Sequence, residues 1–268
     1  MTSSLPPTDD PQPPVIHTRD HRGVHTLTLN RPSTFNALSQ EMLAALQSAL
    51  DFMALDATAR VLVIAAHGKA FCAGHHLKDM AAHPEPVYYQ ALFAQCTRMM
   101  LSLQNAAVPV IAKVQGLATA AGCQLVAQCD LAVASTAASF GVNGIDVGLF
   151  CATPSVPLSR NMLPKQAMEM LLTGGFISAD VALARGLVNR VVPAGALDDE
   201  TEQLVARILS KPQVAIAMGK ALFYKQRETG IDAAYQLAVQ TMTCNMLHPV
   251  VQEGVQAFIE KRSPQWPV

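Results

Sequence analysis

The strongest constraint on this chain is a pattern that occurs twice: a buried-strand run, then a cluster of small residues, then a helix start. Residues 108–114 (VPVIAKV) are β-rich and lead into Gly116, Ala118, Thr119, Ala120, Ala121 and Gly122, after which 123–129 is helix-compatible. Upstream, 60–66 (RVLVIAA) is nearly continuous in apolar residues and leads into GKAFCAGHHLKDM at 68–80. A strand feeding a tight turn and a helix leaves backbone N–H groups unpaired and directed outward. Small side chains let a ligand approach that backbone. Close packing of a helix on a strand also requires small residues, and one such segment alone does not separate the two uses. Two of them can bring two N–H donors to about 3 Å from a single oxygen, the arrangement that stabilises a developing oxyanion.

The remaining segments alternate strands and helices. VHTLTL at 24–29 alternates in polarity and predicts a strand, which Asn30-Arg31-Pro32 ends. Ser39 is the expected N-cap of a helix over 40–53, with Met42, Leu43, Leu46, Leu50 and Met53 on one face. Residues 84–105 predict a second helix with Leu92, Phe93, Met99, Met100 and Leu103 as its apolar face. Strands are expected at 130–135 and 189–193, a turn-rich loop at 139–150, and short helices at 165–173 and 178–187. Beyond about residue 197 the pattern becomes amphipathic helix over 204–227, 231–247 and 250–262, punctuated by Pro212, Gly230 and Pro249. The expected organisation is a Pro-rich arm over 1–14, a strand–helix core over 15–196 and a helical part over 197–268.

Half of the 268 residues are hydrophobic, enough to bury a substantial core. The net charge of −1, with scattered Lys and Arg, does not support a nucleic-acid footprint. A charged fraction of only 15% points to surface covered by other subunits. The six cysteines form no CxxC pair and lie mostly among apolar residues, as reduced thiols do. The first 14 residues have no apolar centre and carry Asp9 and Asp10, unlike a signal or transit peptide. No apolar run is long enough to span a membrane. These features lead to the expectation of a soluble, cytoplasmic protein. There is no GxGxxG fingerprint, Walker A motif or G-x-S-x-G elbow. His67, His75, His76 and His83 fall close together, but adjacent residues of an extended segment face opposite ways, so no metal site is expected.

Read in order, LNRPSTFNALS, GKAFCAGHHLKDM, KVQGLATAAGCQLVAQCDLAVAS, SFGVNGIDVGLF, MEMLLTGGFISADVALARGLVNRVVP and EGVQAFIEKR resemble the crotonase (enoyl-CoA hydratase/isomerase) superfamily from about residue 24 to 262. The resemblance implies an α/β fold: a spiral of strand–strand–helix turns followed by a helical trimerisation region, in a homotrimer or dimer of trimers. It implies an acyl- or enoyl-coenzyme A thioester as ligand, with coenzyme A as part of the substrate and no separate cofactor. By motif position, the thioester carbonyl would lie between the backbone N–H groups of His75 and Ala121. Ala73, His76, Leu77 and Lys78 would line the adenine and pantetheine path, with Phe35 and Ala37 near it. Phe258 and Lys261 match positions that reach a neighbouring subunit's coenzyme A. Lys78 is either a phosphate contact or a plain surface lysine.

The chain departs from that family at its acid/base positions. Two-glutamate hydratases carry one glutamate in a GCE motif and the other before an LG pair. Here those positions are Gln124 and Gly144. Neither titrates near neutral pH, and proton transfer contributes about 10²–10⁴-fold per group, so hydratase activity is expected to be low or absent. Asp146 is either a structural acid or a substitute. Asn143 reads as a turn residue, and Cys151 and Thr153 follow the turn. Cys123 has no nearby histidine in sequence to activate it. The His75 imidazole either intrudes on the pocket or acts as the missing base. Three functions therefore stand: a lyase, isomerase or hydrolase step through a thioester enolate; a weak hydratase/isomerase of fatty-acid metabolism using substitute residues; or a non-catalytic coenzyme A-ligand sensor or scaffold.

Overall fold

The computed structural model describes residues 12–266. Strands β1 (Val15–Arg19) and β2 (Val24–Leu29) form an antiparallel hairpin, closed by a turn in which Gly23 has φ +81°. Helix α1 (Gln40–Ala54) follows, and the Ser39 hydroxyl accepts from Met42 N at 3.1 Å as its N-cap. Next come β3 (Val61–Ala66), β4 (Ala70–Cys72), α2 (Leu77–Ala82), α3 (Pro86–Asn105), β5 (Val110–Val114), β6 (Leu117–Thr119), α4 (Ala121–Gln128), β7 (Leu131–Ser135) and β8 (Ser139–Gly141). After a 3-10 turn at Asn143–Val147 lie α5 (Ala152–Asn161), α6 (Pro164–Thr173), β9 (Ile177–Ser178), α7 (Ala179–Ala184) and β10 (Arg190–Val192). The chain ends in α8 (Leu197–Leu209), α9 (Gln213–Gln226), α10 (Ile231–Met246) and α11 (Pro249–Ile259).

The strands sort into two sheets. One has the order β1-β2-β3-β5-β7-β10, parallel beyond the first hairpin; the other is β4-β6-β8-β9, parallel from β4 to β8. The chain visits them alternately: β3 then β4, β5 then β6, β7 then β8, with helices returning it to the first sheet. This is the strand–strand–helix spiral expected from the sequence. Period-two side-chain alternation buries both faces of the large sheet. Leu62 and Ile64 join the main core with Phe71, Phe140 and the buried faces of α1, α3 and α4. Val61, Val63, Ile111 and Val133 point the other way and pack under Leu197 and Val205 of α8.

Several local readings differ from the sequence expectation, among them the loop expected over 139–150, which contains β8 and a 3-10 turn. Strand β1 was not anticipated. Of the arm expected over 1–14, residues 1–11 lie outside the described residues, and 12–14 are pinned: Asn30 N donates to Pro14 O, Asn30 Nδ2 to Pro13 O and Arg31 Nη1 to Gln12 O. Helix α5 forms although it carries Pro154 and Pro157: both prolines are buried with Leu158, and Asn161 Nδ2 donates to Pro157 O at the helix end.

Helix α9 is tied to the core by a buried polar cluster. Lys220 Nζ lies 2.7 Å from Asp130 Oδ2 and also donates to Leu103 O and Val108 O, while Tyr224 OH and Val110 N complete the Asp130 carboxylate. Burial lowers the Lys220 pKa, but four partners share the charge pair. A second polar chain crosses the β1–β2 edge: His17 Nε2 donates to His25 Nδ1 at 2.9 Å, and His25 Nε2 donates to Asp56 Oδ2 at 3.0 Å, with Arg19 on the same carboxylate. Burial, then the nearby His25, hold His17 below the ordinary histidine pKa. The unfolded chain therefore takes up this proton first, and stability falls as pH drops below about 6.5. Thermal unfolding followed between pH 7.5 and 5 is expected to show that fall, and His17→Phe to flatten it.

Candidate active site

Three adjacent parallel strands of the small sheet end side by side, and the candidate site is built on their carboxyl ends, where open parallel sheets place ligands. The first wall is the loop after β2. Phe35 and Asn36 adopt left-handed φ of 52° and 54°. Asn36 is fully buried and satisfied: its Oδ1 accepts from Arg31 N, and its Nδ2 donates to His67 O and Ala70 O. This latch holds the loop against the end of β4, where Ala73 N donates to Phe35 O and Leu38 N to Gly74 O. Phe35 is thereby bonded to Ala73, and Leu38, beside Ala37, to Gly74, beside His75.

At the end of β6 the backbone reverses through Ala120, with φ 50° and ψ −120°, a region suited to glycine. Ala120 N is engaged by Gly141 O at 2.9 Å, so the next N–H, that of Ala121, is turned outward at the start of α4. Gly74 and Ala121 are in direct apposition: a Cβ on Gly74 would sit 3.1 Å from Ala121 N. Among the described residues, neither His75 N nor Ala121 N donates to a protein acceptor. Gly122 makes the contact possible, since a Cβ there would fall 2.1 Å from Cys72 O.

Gln124 lies one turn into α4 and is only 4% exposed, and its Oε1 is buried without a partner. The third strand end brings Asn143, whose Oδ1 accepts from Thr119 Oγ1 at 2.7 Å. The sequence reading assigned Asn143 to a turn; its bond to Thr119 clamps the β8 end to the β6 end. Gly144 is closely packed, with Leu149 O 2.5 Å and Cys151 Sγ 2.8 Å from where a Cβ would lie. Asp146 is exposed and its carboxylate lies beside Gly174. Burial raises the thiol of Cys151, and it pushes Cys123 up to about 12, so both are protonated at neutral pH and are poor nucleophiles.

His75 is mostly buried. Its Nδ1 lies 3.2 Å from Leu38 O, which can only accept, so Nδ1 carries the proton. Burial lowers its pKa, the bond to Leu38 opposing, so the ring is neutral near pH 7. His76 caps α2, with Nδ1 2.8 Å from Asp79 Oδ1 but out of hydrogen-bond alignment. Leu77 and Lys78 are exposed on the first turn of α2. His67 and His83 turn to Asn30 Oδ1 and Asp79 O respectively. Phe258 and Lys261 are exposed, one near the end of α11 and the other just beyond it.

The family model for enoyl-CoA hydratase/isomerase matches residues 19–267. The chain belongs to that family. A solved enoyl-CoA hydratase of Mycobacterium smegmatis superposes with a TM-score of 0.94 at 60% identity, covering 95% of this chain and 99% of that one. Human enoyl-CoA hydratase domain-containing protein 3 superposes with a TM-score of 0.91 at 43% identity over 94% of this chain and 100% of that structure. The rat protein of that name is 42% identical over 98% of this chain and 88% of its own length. This is the subgroup to which GCQLVAQCDLAVAS and GLFCATPSVPLSR are similar. One sequence expectation is overturned: the rat, mouse, frog and human relatives are all named mitochondrial proteins, against the cytoplasmic location inferred from composition and the N-terminus. Among the described residues no helix is long and apolar enough to cross a membrane. The family likeness thus makes this an enoyl-CoA hydratase-like protein of the crotonase fold.

Proposed function

We propose that the chain binds an acyl- or enoyl-coenzyme A thioester and polarises its carbonyl between the backbone N–H groups of His75 and Ala121. The observation that carries this reading is the close approach of Gly74, the residue before His75, to Ala121 N, and that among the described residues neither His75 N nor Ala121 N donates to a protein acceptor. One such donor is worth about 2.7–4 kcal/mol to a developing oxyanion. Ala73, His76, Leu77 and Lys78, with Phe35 and Ala37 across from them, form the path for the coenzyme A moiety, and Lys78 is its phosphate contact. Exposed apolar residues on α9, α10 and α11, among them Tyr235, Val239, Met242 and Phe258, support burial against other copies in a trimer or a dimer of trimers. In that assembly Phe258 and Lys261 reach a neighbour's coenzyme A.

The carbonyl-polarising pair serves chemistry through a thioester enolate, of lyase or isomerase type. Water addition lacks its acid and base, because Gln124 is neutral, Gly144 has no side chain, and Asp146 faces solvent. Crotonyl-CoA added to the purified protein tests both parts. Saturable binding by calorimetry is expected, with slow loss of the conjugated enoyl absorbance. Absence of binding would remove the thioester reading, and turnover typical of two-glutamate hydratases would remove the assignment of positions 124 and 144.

A further inference from the structure

The His75 ring is held at both ends by contacts that make no use of its basic nitrogen. Nδ1–H donates to Leu38 O, and the ring meets Phe93 edge-on, with centroids 5.4 Å apart and planes at 63°. Phe93 stacks on Tyr89 at 6.4 Å, and the Tyr89 hydroxyl donates to Met80 O at 3.0 Å, which fixes the aromatic row to α2. His75 Nε2 is buried with no partner. A buried acceptor left unpaired costs free energy, which the ring's other contacts, to Leu38 O and Phe93, must offset. The ring also belongs to the residue whose backbone N–H is one of the two unpaired donors. Through Phe93 it leans on α3, which packs against α4, the helix that begins at the other donor.

We propose that the His75 ring, braced by Phe93, is the end wall of the acyl pocket and limits the acyl group to short chains. The inference rests on the placement of the thioester carbonyl at His75 N and Ala121 N. An imidazole where a smaller side chain would leave room excludes several methylenes, and each methylene a pocket accepts or rejects changes affinity by about 10-fold or more.

The test is titration calorimetry of the full chain with butyryl-CoA and octanoyl-CoA. The parent protein is expected to bind butyryl-CoA at least about 10-fold more tightly than octanoyl-CoA. His75→Ala keeps the backbone N–H and opens the wall, so its octanoyl-CoA affinity should rise by about 10-fold. His75→Phe keeps the volume and loses the nitrogen, so it should keep the parent's selectivity. Phe93→Ala, which removes the brace, should shift selectivity in the same direction as His75→Ala and serves where that variant does not fold. The proposal is overturned by equal affinity of the parent for both thioesters, by a histidine-to-alanine change without effect, or by His75→Phe matching His75→Ala. The last result would assign the effect to the ring nitrogens and not to the ring's volume. Failure of every folded variant to bind either thioester would overturn the carbonyl placement and the wall with it; butyryl-CoA binding with unresponsive selectivity would overturn the wall alone.

Discussion

Alanine in place of Gly122 is expected to destabilise the protein by about 3 kcal/mol, lowering the unfolding midpoint by roughly 6–12 °C. The added Cβ would fall 2.1 Å from Cys72 O and 2.7 Å from Cys72 C, atoms of the backbone that no rotamer change can move. Strand β4 and helix α4 must then separate. The Ala121 N–H moves away from His75 with them, so thioester binding falls along with stability. Gly219→Ala is the control: nothing lies within 4 Å of its Cβ, and within α9 alanine gains about 1 kcal/mol in helix propensity. Calorimetric unfolding of the two variants, with a coenzyme A thioester titration on each, separates close packing from a general intolerance of substitution. Equal midpoints would remove the packing argument.

The double variant Gln124→Glu/Gly144→Glu is expected not to recover hydratase turnover. Restoring two carboxylates would be worth about 10²–10⁴-fold each if they could take up acid and base positions. Position 144 has no room: its Cβ would meet Leu149 O at 2.5 Å and Cys151 Sγ at 2.8 Å. At position 124 a carboxylate would replace an amide that is 4% exposed and whose oxygen has no donor, so burial would favour its protonated form. Crotonyl-CoA hydration by the double variant should therefore stay within about 10-fold of the parent. A rise of about 10²-fold or more would mean that the 143–151 loop reshapes easily around a side chain.

Much of this architecture is legible in the residues. Ser39 and the face Met42, Leu43, Leu46, Leu50 and Met53 identify α1 and its cap, and all five are buried. The continuous apolar runs at β3 and β5 mark strands buried on both faces. Other features depend on tertiary contacts that local pattern does not encode. Strand β1 follows prolines and takes its pairing from β2. Helix α5 has no counterpart in the sequence expectation and forms because burial outweighs two prolines. Phe93 fits the apolar stripe of α3 yet lies only half-buried, packed against the core and also meeting the His75 ring. At the site, motif order brings His75 near Ala121, and the structure adds what motif order lacks: the Asn36 latch, the Thr119–Asn143 clamp and the tight fit at Gly144. An asparagine between a phenylalanine and an alanine, or one two residues after a glycine, carries no local signal of such partners.

The small sheet gives the site an order of assembly. Its donors stand on β4 and β6, and its clamp reaches β8, three short parallel strands whose hydrogen bonds join segments tens of residues apart. Parallel pairing of this kind closes long loops before any contact repays them, so it forms slowly. A nascent chain released before β8 would hold His75 and Ala121 without the support that fixes them. Ligand competence should therefore be a late event in refolding, lagging behind the recovery of helical signal. Coenzyme A thioesters, binding only the finished coil, would draw the last step forward by mass action.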